Sequence, residues 1–508
     1  MIKRILVLSL LTLTSCGVFK SNIPQPKREF RGVWVATVAN IDWPKNGRDN
    51  VEKQKKDFID ILDFYQRLNF NAVIVQIRDA GDAFYPTELA PWSRFLSGTE
   101  GEAPEPYYDP LEWMIAEAHK RGMEFHAWLN PYRATMNENT EILAQNHDYN
   151  LYPDWMIKYG SKYYYNPGLP EVRQHLITIM DEVVTNYDVD AIHFDDYFYP
   201  YKIKDETFDD SQAYAAYALP QQSLADWRRA NVDSLVQDIH KTIKKRKPWV
   251  QFGISPFGVW KNKSTDPRGS DTEAGQTNYD DLYADPLMWM QEGWIDYLVP
   301  QIYWSMDYPV ASYRKIADWW AQNKTRTNLY IGNGAYKVRN NADKAWDKKK
   351  ELPNQILLAR KNSAIEGNVF FSAKSLMQDN SDVLLYLKKK YYAHPALTPI
   401  SPLANKSRKI WPTVRKIKEE NGILRFDLDR PEGEGDASKY VLVYAARNAR
   451  QLKSKKIKWL VDKIDLENNK SFTLGQLLLN GKKHIAITFL DQNGRESVPV
   501  PINLNDQL

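Results

Sequence analysis

A single cysteine, Cys16, stands in a chain of 508 residues, so no disulfide can close within it. Net charge is almost absent: 68 basic against 64 acidic residues leaves +4. That balance gives no electrostatic argument for a nucleic-acid or anionic-surface partner. The apolar stretch near the start, Ile5 to Leu13, is too short to cross a bilayer as a mature helix. No glycine-rich phosphate loop follows the first candidate strand, which argues against a doubly wound nucleotide-binding sheet. That strand also lacks His-x-His, reading Val33-Trp34-Val35-Ala36. A metal-dependent barrel hydrolase with His126, His193 and Asp195 as ligands is therefore disfavoured, and no metal or cofactor is expected. Internal repeats are missing, and low-complexity tracts occur only in linkers.

Aromatic residues are plentiful: 17 Trp, 30 Tyr and 18 Phe. Flat apolar faces with polar edges suit sugar rings as well as cores. The amino-terminal stretch has its own signature. Lys3 and Arg4 precede the apolar run, which ends in Leu13-Thr14-Ser15-Cys16. This resembles the lipobox of bacterial lipoproteins. Residues 1–15 are then a signal peptide, Cys16 the lipidated first residue, and 16–28 a tether containing Pro24 and Pro26. No acidic run follows Cys16, so the expected place is the cell envelope, anchored by lipid at the outer membrane and facing the periplasm.

From residue 29 strands and helices alternate. Candidate strands are 30–38, 72–78, 124–131, 191–196, 251–257, 295–304, 328–335 and 367–372. Helical periodicity covers 51–68, 111–121, 171–187, 224–245, 286–293 and 311–322, with Gly122 a fitting stop. Most of the strands are apolar along their length, as expected when both faces are buried. The pattern predicts a (β/α)8 barrel over 29–395, with its extra length in the segments after strands three, four and five. A Pro-rich linker, 396–408, leads to a β-sandwich over 409–508, with strands at 423–428, 439–446, 457–461 and 484–490.

In such a barrel the chemistry lies where strands end. The fourth strand runs Ala191-Ile192-His193-Phe194 and finishes in Asp195-Asp196, followed by Tyr197-Phe198-Tyr199-Pro200. Burying unpaired carboxylates costs several kcal/mol, roughly, or raises their pKa, so acids at the end of an apolar strand point to function. Residues two apart share a face. Phe194 suits the helix layer, so His193 and Asp195 point inward and Asp195 is the acid at the axis. Adjacent strand residues cannot flank one bond without a kink. The second carboxylate is then Asp196 after such a turn, or one of Asp82, Asp307, Asp271, Glu273, Asp280 and Asp281. Other strand ends add candidate substrate-binding residues: Arg78, Asp82, His126, Trp128, Asn130, Tyr132, His193, Tyr197, Tyr199, Gln301, Tyr303 and Trp304.

Several of these stretches resemble one family. Phe30 to Val38 with Asp42-Trp43-Pro44, Phe125 to Arg133, His193 to Pro200, Gly253 to Gly258 and Pro300 to Trp304 are similar to the family-10-like glycosyl hydrolase lipoproteins. The likeness spans roughly residues 29–380. It implies a barrel-borne glycoside hydrolase of the envelope acting on amino-sugar glycans, denuded peptidoglycan strands above all, with Asp195 and Asp196 in the catalytic centre. The carboxy-terminal module loosely resembles fibronectin type III. The competing readings are a glycan-binding scaffold without catalysis and a metal-dependent polysaccharide deacetylase.

Overall fold

A computed structural model describes residues 25–502 apart from 378–379, 405–410, 431–437, 453–454, 467–468, 480 and 483. Cys16, the signal peptide and most of the tether lie outside the described residues. Eleven strands precede the linker: β1 (Phe30–Val35), β2 (Ala72–Arg78), β3 (Glu124–Leu129), β4 (Met156–Tyr159), β5 (Lys162–Tyr165), β6 (Ala191–Phe194), β7 (Gln251–Ile254), β8 (Tyr297–Leu298), β9 (Gln301–Ile302), β10 (Asn328–Asn333) and β11 (Gly367–Phe370). The barrel order is β1, β2, β3, β6, β7, then β8 with β9, then β10 and β11, all parallel. Phe30 pairing with Gly367 closes the cylinder. The expected (β/α)8 barrel is therefore what the chain forms.

Two expectations differ in detail. The sixth barrel strand is broken into β8 and β9 around Val299-Pro300, where proline has no N–H for the ladder. A hairpin, β4 with β5, occupies the segment after the third barrel strand. Outside the strands lie helices Val51–Arg67, Pro110–Lys120, Pro170–Asn186, Leu224–Arg246, Pro286–Glu292, Tyr313–Asn323, Glu351–Lys361 and Ser381–Lys390. Their starts follow local chemistry. Asn50, Asp109 and Ser223 each accept a backbone N–H of the first turn, and Pro110 and Pro286 open their helices. Gly122 ends one at φ +69°.

Alternation sorts the barrel's two cores. Phe30, Trp34, Ile74, Trp128, Ala191, Tyr297, Tyr330 and Val369 fill the interior, while Val33, Val73, Phe125, Ile192, Phe194 and Phe252 face the helices. Gly253 is obligatory here, because a Cβ would lie 1.9 Å from the Tyr297 ring.

After the linker come β12 (Thr413–Glu420), β13 (Ile423–Asp429), β14 (Ser438–Ala446), β15 (Leu460–Asp465), β16 (Ser471–Gly475), β17 (His484–Asp491) and β18 (Val500–Ile502). They form two antiparallel sheets, β12-β13-β16 and β15-β14-β17-β18. Phe426, Leu424 and Phe472 of one meet Val441, Val443 and Ile487 of the other in a shared core. The opposite face of β14, Tyr440, Leu442 and Tyr444, packs with Leu397 of the linker. This small all-β domain sits at the end where the barrel strands begin: Lys439 Nζ reaches Asp190 Oδ1 at 2.9 Å, and Lys463 Nζ donates to the Gly122 carbonyl at 3.0 Å.

Candidate active site

At the other end, β6 stops at Phe194 and the backbone turns, so Asp195 and Asp196 both lie past the strand. Phe194 faces the helices, against Phe252, and His193 faces the barrel interior. The turn lets adjacent residues meet: Asp196 N–H donates to Asp195 Oδ1 at 2.7 Å, and the two carboxyl groups hydrogen-bond each other. Gln301, at the start of β9, donates through Nε2 to Asp195 Oδ1 at 2.8 Å and to the Ser255 carbonyl at 2.9 Å. Tyr201 OH donates to Asp196 Oδ2.

The two acids hold protons differently. Burial raises both. For Asp195 the hydrogen bonds from Asp196 and Gln301 and the charge of Arg133 oppose that rise. For Asp196 the neighbouring Asp195 charge adds to burial and pushes its pKa well above the carboxylate range. Both acids therefore hold their protons to higher pH than a free carboxyl, Asp196 more strongly than Asp195, and the two titrate as a unit. A dyad with separated proton affinities can donate a proton and supply a base or nucleophile together.

Rings frame these acids. Tyr201 is 40 % exposed and edges against Phe257, which edges against Trp304 at 5.7 Å. Tyr303 stacks on Phe371, and Phe371 meets Trp34. Tyr197 lies 6.0 Å from Tyr201. Gly258 permits the close approach, since a Cβ there would come within 2.6 Å of the Gln301 carbonyl and 2.8 Å of the Trp304 ring. Of the residues named from sequence, Asp195, Asp196, Tyr197, Gln301, Tyr303 and Trp304 thus come together at the mouth.

Others are placed elsewhere. Tyr132 and Tyr199 are buried, with Tyr199 packed between Phe208, Tyr283 and Arg228. Arg78 is fully buried, bonded to the Tyr165 hydroxyl at 3.1 Å and close to Asp148. Asp82 accepts from its own loop and lines a separate small recess with Arg94, Glu100 and His147. Trp128 donates to Asn130 Oδ1, and Asn130 to the Asp79 carbonyl, both buried just below the mouth.

His126 and His193 have no exposed surface and belong to a chain along the barrel axis. Trp34 Nε1 can only donate, so His193 Nε2 accepts and its Nδ1–H goes to the Tyr297 hydroxyl at 3.1 Å. Tyr297 then gives its proton to His126 Nδ1 at 2.8 Å, which leaves His126 Nε2–H for Glu124 at 3.2 Å. Burial holds His193 neutral, well below its ordinary pKa. Among the described residues no cluster of three or more His, Cys, Asp or Glu side chains could hold a metal ion. Tyr201 and Phe371 are not marked by the sequence reading; Arg133 and Phe257 stand at the strand ends it marks, without a role of their own. Tyr201 could have been, as the next ring after Pro200 in the loop that carries the acids.

Residues 29–348 match the family described as glycosyl hydrolase-like 10. The chain belongs to the glycosyl hydrolase-like 10 family. It is 45 % identical over 447 residues to glycosyl hydrolase YngK of Bacillus subtilis, covering 86 % of this chain and 87 % of that one. Glycosyl hydrolase DigH of Escherichia coli is 42 % identical over 332 residues, 62 % of this chain and 75 % of its own. Among solved structures, the glycoside hydrolase domain of PgaB (BpsB) from Bordetella bronchiseptica superposes with a TM-score of 0.48 at 12 % identity, over 70 % of this chain and 98 % of that domain. A glycoside hydrolase-type function follows from the family and its curated relatives, and it implies a glycan substrate.

Proposed function

We propose that this protein is a lipid-anchored hydrolase of the cell envelope that cuts glycosidic bonds of amino-sugar glycans, with peptidoglycan strands stripped of stem peptides as substrate. The observation that carries the reading is the Asp195–Asp196 pair, two adjoining carboxyl groups buried under a ring-lined mouth, each with a raised pKa. Asp196 gives its proton to the leaving glycosidic oxygen. Asp195, held by Gln301, stands beside it; two carboxyls in contact share one side of the bond, so Asp195 steadies the charge that grows as the bond breaks while water or the sugar's own 2-acetamido oxygen attacks the anomeric carbon. Tyr201, Phe257 and Trp304 offer faces on which sugar rings stack. Lipidation at Cys16 and an outer-membrane site facing the periplasm come from the lipobox-like Leu13-Thr14-Ser15-Cys16.

The test is direct. Purified protein incubated with denuded glycan strands is expected to generate new reducing ends, read by mass spectrometry. Asp195→Asn is expected to fold normally and lose about 10²–10⁴-fold in turnover. Binding without new reducing ends would replace the hydrolase reading with a glycan-binding scaffold. Near-wild-type turnover in Asp195→Asn would remove this acid from the reaction.

A further inference from the structure

Most buried cations of the barrel are matched by an acid. Arg228 pairs with Asp210 and Arg31 with Glu29, and even the exposed Lys202 pairs with Asp281. Arg133 and Lys162 are different. Arg133 follows the third barrel strand and is 6 % exposed. Its guanidinium lies 4.4 Å from the centre of the Tyr197 ring, and Nη1 reaches the Met136 sulfur at 3.8 Å. Lys162, the first residue of β5, is half-buried. Neither makes an ion pair among the described residues.

Backbone pairing puts them together. Arg133 bridges Tyr164 in antiparallel fashion, and residues so opposed present their side chains on one face. Lys162 stands two residues from Tyr164 on the same strand and shares that face. The proximity is felt electrostatically: burial and then the Arg133 charge lower the pKa of Lys162. Two like charges, partly removed from water and facing each other, are unfavourable unless an anion joins them; Asp195 and Asp79 feel the Arg133 charge, yet neither forms an ion pair with it among the described residues. Their site borders the acid dyad, since the Arg133 charge also favours the ionised form of Asp195.

We propose that Arg133 and Lys162 form a subsite for a carboxylate carried by the substrate sugar, beside the bond on which Asp195 and Asp196 act. The proposal rests on the hydrolase reading for its neighbour but not for its own chemistry. The guanidinium fork takes the carboxylate oxygens side-on, the ammonium adds a point charge, and Tyr164 and Tyr197 wall the sugar that bears the group. A neutral glycan would leave both cations unmatched.

The test uses two probes: denuded peptidoglycan strands with free lactyl carboxylates, and the same strands after those carboxylates are reduced to alcohols. The expected kcat/KM ratio for wild type is about tenfold or more in favour of the carboxylate strands. Lys162→Gln and Arg133→Gln are each expected to bring that ratio towards one, and Lys162→Arg to keep most of it. A wild-type ratio near one, or a ratio unchanged in both Gln variants, overturns the subsite. Calorimetry with Asp195→Asn separates this result from the hydrolase reading. If wild type cuts neither strand, the hydrolase reading fails alone; tighter binding of the carboxylate strands then upholds the subsite, and equal binding overturns it.

Discussion

Tyr201 is the side chain whose removal reads the dyad most cleanly. Its hydroxyl bonds the Asp196 carboxyl, and that bond favours the charged form, partly offsetting the rise caused by burial and by Asp195. Catalysis in the proposed mechanism needs Asp196 protonated, so activity is present below its folded pKa and falls as pH rises through it. Tyr201→Phe withdraws the side-chain bond that lowers this pKa. The alkaline limb of the kcat/KM profile is expected to move to higher pH while the acidic limb stays. An alkaline limb that stays put or moves down would take Tyr201 out of control of that proton. Period-two reasoning placed Asp195 inward from the single clue of Phe194 behind it. It could not place Asp196, because the turn that brings the two carboxyls together begins where the strand, and its alternation, stops. The same limit misdirects attention to Tyr132 and Tyr199. A ring in a loop next to the mouth looks identical in sequence whether it lines the opening or packs beneath it against Phe208 and Tyr283.

Among the strands, those of the barrel were the most legible, because runs such as Ala72-Val73-Ile74-Val75 are apolar on both faces. The sixth reads as one continuous strand in the sequence, yet Pro300 divides it. Helices Glu351–Lys361 and Ser381–Lys390 lie outside the periodic stretches, the first carrying a proline at position 353 near its start and the second ending in three lysines, 388–390, that break its apolar pattern. One pairing between strands carries unusual weight. Tyr297 on β8 fills the space left by Gly253 on β7, and its hydroxyl joins His126 to His193. Gly253→Ala would place a methyl group within 2.0 Å of two ring atoms of Tyr297, so the ring must move and both imidazoles lose their partner. Overpacking of that kind costs about 1–3 kcal/mol, and a buried imidazole left without its bond adds about 1–3 kcal/mol more. Thermal unfolding of Gly253→Ala is expected at a clearly lower temperature than wild type. An unchanged Tm would mean that the barrel interior has slack which its packing does not reveal.

The two domains of the whole molecule meet through charge. Asp190, at the start of β6, accepts from Phe125 N–H and His119 and takes Lys439 of the all-β domain at 2.9 Å. The Lys439 charge first, then His119, hold its pKa well below the carboxylate range against the pull of burial. This junction has no signature along the chain, since Lys439 and Asp190 are 249 residues apart and each looks like an ordinary surface charge. The dyad lies at the opposite end of the barrel, so the contact bears on stability and not on chemistry. Lys439→Met leaves Asp190 with His119 and the Phe125 N–H but without its lysine, a change expected to cost about 3–5 kcal/mol at neutral pH. A folded-state pKa depressed in this way supplies stability above the unfolded carboxyl value, about 3.9, and loses it as pH falls through the folded value. The stability gap between wild type and Lys439→Met, measured by denaturant titration, should therefore be full at pH 7 and close progressively below pH ~4. Turnover per folded molecule should match wild type throughout, and so should that of a chain ended at residue 400 once its lower folded fraction is counted. A truncated chain that stays folded yet cuts no glycan would bring the all-β domain into the active cleft, against the placement of its contacts at the far end of the strands.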